Sequence, residues 1–170
     1  MPIEEINEPW YWHERLGRAQ KSGRLHEAVF ICAEKQWSLI NQSHRRILAE
    51  HIQPDDSVLD CGCGWGRLID LMPDTWTGEY RGVDLSTEFI EMAHERYGHS
   101  LKHRVSFSVG TLEEFYSPTG YDWGILVSMR PMIVRHQGGE VWEAIEKNLQ
   151  QHCNKLLYLE YDPDDKGAIE

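Results

Sequence analysis

A chain of 170 residues, 41% hydrophobic and 26% charged, is long enough for one domain with a sizeable core and too apolar to stay disordered. Its net charge of −11 disfavours tight binding to a phosphate backbone, and no apolar run reaches the length of a signal-peptide core or a membrane span. A cytoplasmic protein with neither nucleic-acid nor membrane partners is expected.

The first nine residues are acidic and polar, and residues 9–52 then read as helical with a break at Ser22-Gly23. Before the break Trp10, Tyr11 and Trp12 crowd together. After it Val29, Ala33, Trp37, Ile40, His44 and Ile47 recur every three or four residues, which marks one apolar helix face. Such a face would cover one side of a sheet, and His44 on it reads as a structural histidine. The aromatic cluster reads equally as core and as a lid over a ligand. Gln53-Pro54-Asp55-Asp56 ends the helix, since proline cannot continue its hydrogen bonding. Residues 1–170 thus form a single domain, with 1–52 as a helical cover and 53–162 as its core.

The stretch Ser57-Val58-Leu59-Asp60-Cys61-Gly62-Cys63-Gly64-Trp65-Gly66-Arg67 is an apolar run that ends on an acid, then three glycines, then a helix from Arg67 to Met72 stopped by Pro73. A buried strand delivered into a Gly-rich turn places bare backbone N–H groups and a helix N-terminus at one spot, which favours an anionic or polar ligand. The spacing is one residue short of the dinucleotide pattern G-x-G-x-x-G. Instead D-C-G-C-G-W-G resembles motif I of the class I S-adenosylmethionine-dependent methyltransferases, D-x-G-x-G-x-G. The resemblance extends from about Ser57 to Ser128, and more loosely to Tyr161. It implies a Rossmann-like, doubly wound α/β fold with a mainly parallel five-stranded sheet of order 3-2-1-4-5.

A second strand, Glu79 to Val83, runs into Asp84, where an acid at a strand end is placed to accept from ribose hydroxyls. Ser86 reads as the N-cap of the next helix, with Phe89, Ile90, Ala93 and Tyr97 on its buried face. A third strand spans Arg104 to Val109. Thr111 follows where the family commonly has an Asp near the adenine amine; it reads alternatively as the cap of a short helix from Leu112 to Tyr116. Tyr121 to Ser128 is the fourth strand, Gly139 to His152 a helix and Lys155 to Tyr161 the last strand. By resemblance, the cofactor S-adenosylmethionine would meet Asp60, Gly62, Cys63, Gly64, Asp84, Leu85, Thr111, Leu112 and Ser128. Cys32, Cys61, Cys63 and Cys153 form neither a Cys-x-x-Cys pair nor a disulfide framework, so reduced thiols and no metal are expected.

The family reaction is an in-line displacement at the methyl carbon of a sulfonium, which needs alignment and dryness more than a fixed base. Candidate positioning or base residues are Tyr11, His13, Ser128, His136 and Glu160. Base-modifying members carry N-P-P-Y or D-P-P-Y where this chain has Ser128-Met129-Arg130-Pro131. The acceptor is therefore expected to be a small molecule or a protein side chain. A non-catalytic binding module or partner subunit, and a lyase using the same sulfonium, are the alternative readings. The family's two further strands have no counterpart after Tyr161, so either the acidic tail Asp162 to Glu170 or a second subunit would cover the fifth strand. A homodimer or partner subunit at that edge is expected.

Overall fold

A computed structural model describes residues 9–29, 33–99 and 104–160. Five strands build one wholly parallel sheet: β1 (Val58–Cys61), β2 (Glu79–Asp84), β3 (Arg104–Val109), β4 (Tyr121–Val127) and β5 (Cys153–Leu159), in the order β3-β2-β1-β4-β5. The sequence implied this order. All four residues of the central strand β1 are buried, as a parallel sheet covered on both faces requires.

Because side chains alternate across a strand, β1 and β4 feed two cores. On one face Val58 and Ile125 join Leu48 of α2 (Glu34–His51), Ile52 just past its end, and Ile90, Ala93 and Tyr97 of α3 (Thr87–Tyr97). On the other, Leu59, Cys61 and Leu126 meet Ile133 of α4 (Met129–Gln137) and Trp142, Ile145 and Leu149 of α5 (Gly139–His152). The Ser86 side chain accepts from the Phe89 amide at 3.3 Å and so caps α3 as its sequence suggested.

The N-terminal segment is more broken than its periodicity predicts. Helix α1, which takes its number from the chain order, spans Pro9–Ser22; a 3₁₀ turn, Leu25–Ala28, then separates it from α2, so Val29 and Ala33 fall outside the helix. Ile40, His44 and Leu48 keep the buried stripe. The crossover after the glycine loop is a 3₁₀ helix, Arg67–Leu71.

No helix forms between Leu112 and Tyr116, because Asn148 of α5 takes the Leu112 and Phe115 carbonyls, both at 2.9 Å. Helix α4 was not foreseen: Pro131 looks like a breaker, yet it stands in the first turn, where its missing N–H would have had no helical partner. The last strand starts two residues earlier than expected and ends at Leu159, because α5 runs into it without a loop. Cys32, Tyr161 and the acidic tail 162–170 lie outside the described residues. Among those that are described, no helix is long and apolar enough to cross a membrane.

Where β2 passes beneath the glycine loop, Gly82 allows a close approach. A Cβ there would stand 2.7 Å from Cys63 Sγ and 2.8 Å from Phe107 Cδ1. Gly82→Ala should therefore lower the unfolding free energy by about 1–3 kcal/mol, the usual cost of overpacking, as read from urea denaturation. An unchanged midpoint would show that the strands can part without cost.

Candidate functional site

The site begins where β1 ends. Gly62, Gly64 and Gly66 all take positive φ, at 70°, 53° and 80°, a region that side chains rarely tolerate. The turn they make folds back onto β2. The Gly62 and Cys63 amides both donate to the Val83 carbonyl, at 2.8 and 3.1 Å, and the Gly64 amide donates to Asp84 Oδ2 at 2.8 Å. The Gly66 amide closes on the Cys63 carbonyl at 3.0 Å. This corrects the expectation of bare N–H groups awaiting an anion. The loop spends those donors inside the protein, and the short 3₁₀ helix after it is no substitute for a long helix terminus. What Gly64 offers a ligand is room, since a Cβ there would meet only Val29 Cγ1, at 3.6 Å, whereas Gly62 and Gly66 are packed against Met129 and Tyr97.

Asp84 is the hinge of this arrangement. Its other oxygen accepts from the Ser86 amide at 2.9 Å, so one carboxylate joins the loop after β1 to the cap of α3. Burial raises its pKa, while the amides of Ser86, Gly64 and Leu85 act in the opposite direction. Asp60 lies deeper, with its carboxylate accepting from the Tyr80 hydroxyl. Burial lifts its pKa to about 7; the Tyr80 hydrogen bond and the Arg67 charge oppose the rise, and Asp84 adds to it.

A cavity of about 290 Å³ opens at the carboxyl ends of the central strands. All nine cofactor residues implied by the sequence line it: Asp60, Gly62, Cys63, Gly64, Asp84, Leu85, Thr111, Leu112 and Ser128. Ser128 closes β4 with φ 51°, the one non-glycine residue of positive φ among those described, and its amide donates to the Leu159 carbonyl at 3.0 Å.

The other catalytic candidates do not line the cavity. Tyr11 is buried edge-to-face against Trp12. His13 pairs with Glu88 at 2.8 Å on the far side of α1, along a separate groove between α1 and α3. His136 keeps a buried Nδ1 without a hydrogen-bond partner on α4, and Glu160 is exposed beyond β5. Burial, then the Arg67 charge, drive the His44 pKa down to about 3; its neutral ring contacts Arg67 at 3.1 Å, a structural role.

Sequence reasoning missed the cavity residues of α4: Met129, Met132, Ile133 and Gln137. Their spacing of three, four and eight residues from Met129 is a helical face, but it was hidden behind Pro131. Among the described residues no cluster of three or more His, Cys, Asp or Glu could hold a metal ion. Cys61 and Cys63 are buried thiols whose pKa values burial raises.

Residues 58–153 match a family model described as a methyltransferase domain. Over 57 residues the chain is 39% identical to the cyclopropane-fatty-acyl-phospholipid synthase of Escherichia coli K12, a match covering 32% of this chain and 15% of that protein. Its fold is similar to that of magnesium protoporphyrin IX methyltransferase from Synechocystis PCC 6803, solved with bound SAH, at TM-score 0.56 and 20% identity over 71% of this chain and 53% of that one. It is also similar to the glycopeptide N-methyltransferase MtfA complexed with (S)-adenosyl-L-methionine, at TM-score 0.55 and 19% identity, over 69% and 53% of the two chains. The chain thus spans about half of these solved structures and less of the curated relative.

An acid whose pKa is raised on folding stabilises the fold below its unfolded value, and that contribution is lost as the pH rises through its folded value. For Asp60 this window runs from 3.8 to about 7. Asp60's contribution to the unfolding free energy should fall with rising pH across that window, against a rise from His44, whose pKa burial lowers from 6.5 to about 3. The fall is read as the difference between the unaltered protein and Asp60→Asn, whose stability should rise more steeply with pH, as measured by urea denaturation at several pH values. An unaltered profile in the variant would remove Asp60 as its source.

Proposed function

Because this chain belongs to the methyltransferase-domain family, we propose that it is an S-adenosylmethionine-dependent methyltransferase that passes a methyl group to a small molecule or a protein side chain. One observation carries the reading: the Asp84 carboxylate is held by the Gly64 amide, so the acid after β2 and the glycine loop after β1 face one cavity. The residues present fit the cofactor. The Asp84 carboxylate takes the Gly64 amide on one oxygen and the Ser86 amide on the other, and with about four lone-pair sites keeps capacity for a further donor, as a ribose hydroxyl would require. Leu85 and Leu112 supply apolar surface for an adenine ring, Thr111 a hydroxyl beside it, and the open face of Gly64 a path for the methionine end.

When bound, the cofactor supplies a methyl group on a leaving group that is already activated. The protein's task is then to hold the acceptor in line and keep water out. Trp12 and Val29 reach the cavity from the N-terminal segment, and Ser128 with the first turns of α4 reaches it from β4. Trp12 is steadied by Arg15, whose guanidinium lies 5.3 Å from its ring and donates to the Glu27 carbonyl at 3.0 Å.

Titration calorimetry with S-adenosylhomocysteine tests the assignment. Asp84→Ala should weaken binding by about 1.5–3 kcal/mol, the range of a hydrogen bond to a charged group. No binding to the unaltered protein would overturn the reading. Product analysis with methyl-labelled cofactor separates transfer from breakdown, which would mark a lyase, and from inertness, which would mark a binding module.

A further inference from the structure

The cavity has a second wall, and its composition differs from that of the first. Helix α4 contributes Met129, Met132 and Ile133, with the uncharged amide of Gln137 at its far end, and the N-terminal segment contributes Trp12 and Val29. Both groups come up to the glycine loop itself. A Cβ on Gly62 would stand 2.8 Å from Met129 Sδ, and one on Gly64 would stand 3.6 Å from Val29 Cγ1.

Charged lining residues belong elsewhere. Asp60 and Asp84 stand on the strand ends that carry the loop, and Glu113 follows β3. Arg67 turns its donors to α2: Nη1 donates to Asn41 Oδ1 at 2.6 Å, Nη2 contacts His44 Nδ1 at 3.1 Å, and the guanidinium lies 5.0 Å from the Trp37 ring. Neither α4 nor the N-terminal segment brings a charged lining residue, so an ammonium or phosphate pressed against Met132 and Val29 would lose its hydration against apolar side chains. An uncharged apolar body would gain from the same contact, and thioethers adapt their shape to it. The whole cavity, about 290 Å³, stands at the small end of ligand sites, which span roughly 300–1,000 Å³, and the cofactor proposed above takes part of it, so the acceptor's share is smaller still.

Resting on the function proposed above, we propose that the acceptor is a small, uncharged, hydrophobic molecule seated against Met129, Met132, Ile133, Trp12 and Val29. A cationic side chain of the lysine or arginine kind does not suit this wall.

Two probes that share one ring test this by ligand-observed NMR, in the presence of saturating S-adenosylhomocysteine: indole, which is uncharged, and tryptamine, which carries an ammonium. Indole should bind saturably and at least about tenfold more tightly than tryptamine. Met132→Glu should reduce indole binding by at least about tenfold and Met132→Leu should keep it, with homocysteine-nucleoside binding measured in each variant to show that the fold survives. Equal or tighter binding of tryptamine, or indole binding indifferent to both variants, would overturn the inference while leaving the cofactor assignment intact. Failure of the unaltered protein to bind S-adenosylhomocysteine would instead remove the cofactor assignment and this inference with it.

Discussion

The carboxylate of Asp84 holds the site together. It receives an amide from the loop after β1 and another from the cap of α3, and thereby fixes two chain segments that no strand pairing joins. Hydrogen bonds to a charged acceptor contribute more than neutral ones, about 1.5–3 kcal/mol each, and burial strengthens the field in which they act. The same burial raises the carboxyl's pKa, so those amides stabilise the charge that they depend on. It acts with the Val83 carbonyl, which takes the Gly62 and Cys63 amides, to keep the left-handed glycine turn folded back on β2.

That folding back decides the chemistry that the loop can serve. A phosphate cradle leaves its amides pointing outward; here the amides of Gly62, Cys63, Gly64 and Gly66 are consumed by Val83, Asp84 and Cys63. The loop has no reserve of donors at those four positions for a pyrophosphate. It offers instead, at Gly64, a narrow open surface beside a carboxylate, suited to hydroxyls and to a ligand without a phosphate. The missing residue in the glycine spacing thus has a physical counterpart in where the hydrogen bonds go.

Much of this was legible in the sequence because the signals were local. The run Val58–Asp60, the acid Asp84 and the cap Ser86 each declare an element by their own residue types, whereas the sheet order followed from the family resemblance that the glycine motif carries. Less legible were features settled by partners distant in the chain. Asn148 removes a helix at Leu112 by taking the Leu112 and Phe115 carbonyls, and Pro131 is harmless only because β4 ends four residues before it rather than later. His13 and His136 were attractive by chemistry alone; the direction each faces is set by how α1 lies on α3 and how α4 meets α5, which no spacing announces.

Ser128 carries one more consequence. Its amide is fastened to the Leu159 carbonyl at the end of β5, and the next residue along the chain is Met129, whose thioether lies over Gly62. The outermost strand and the middle of the cavity are therefore separated by one hydrogen bond and one peptide unit. With its backbone already in the left-handed region, Ser128 has little slack to absorb a tug. The rim of the sheet and the methionine above the glycine loop thus share one backbone anchor, at Ser128.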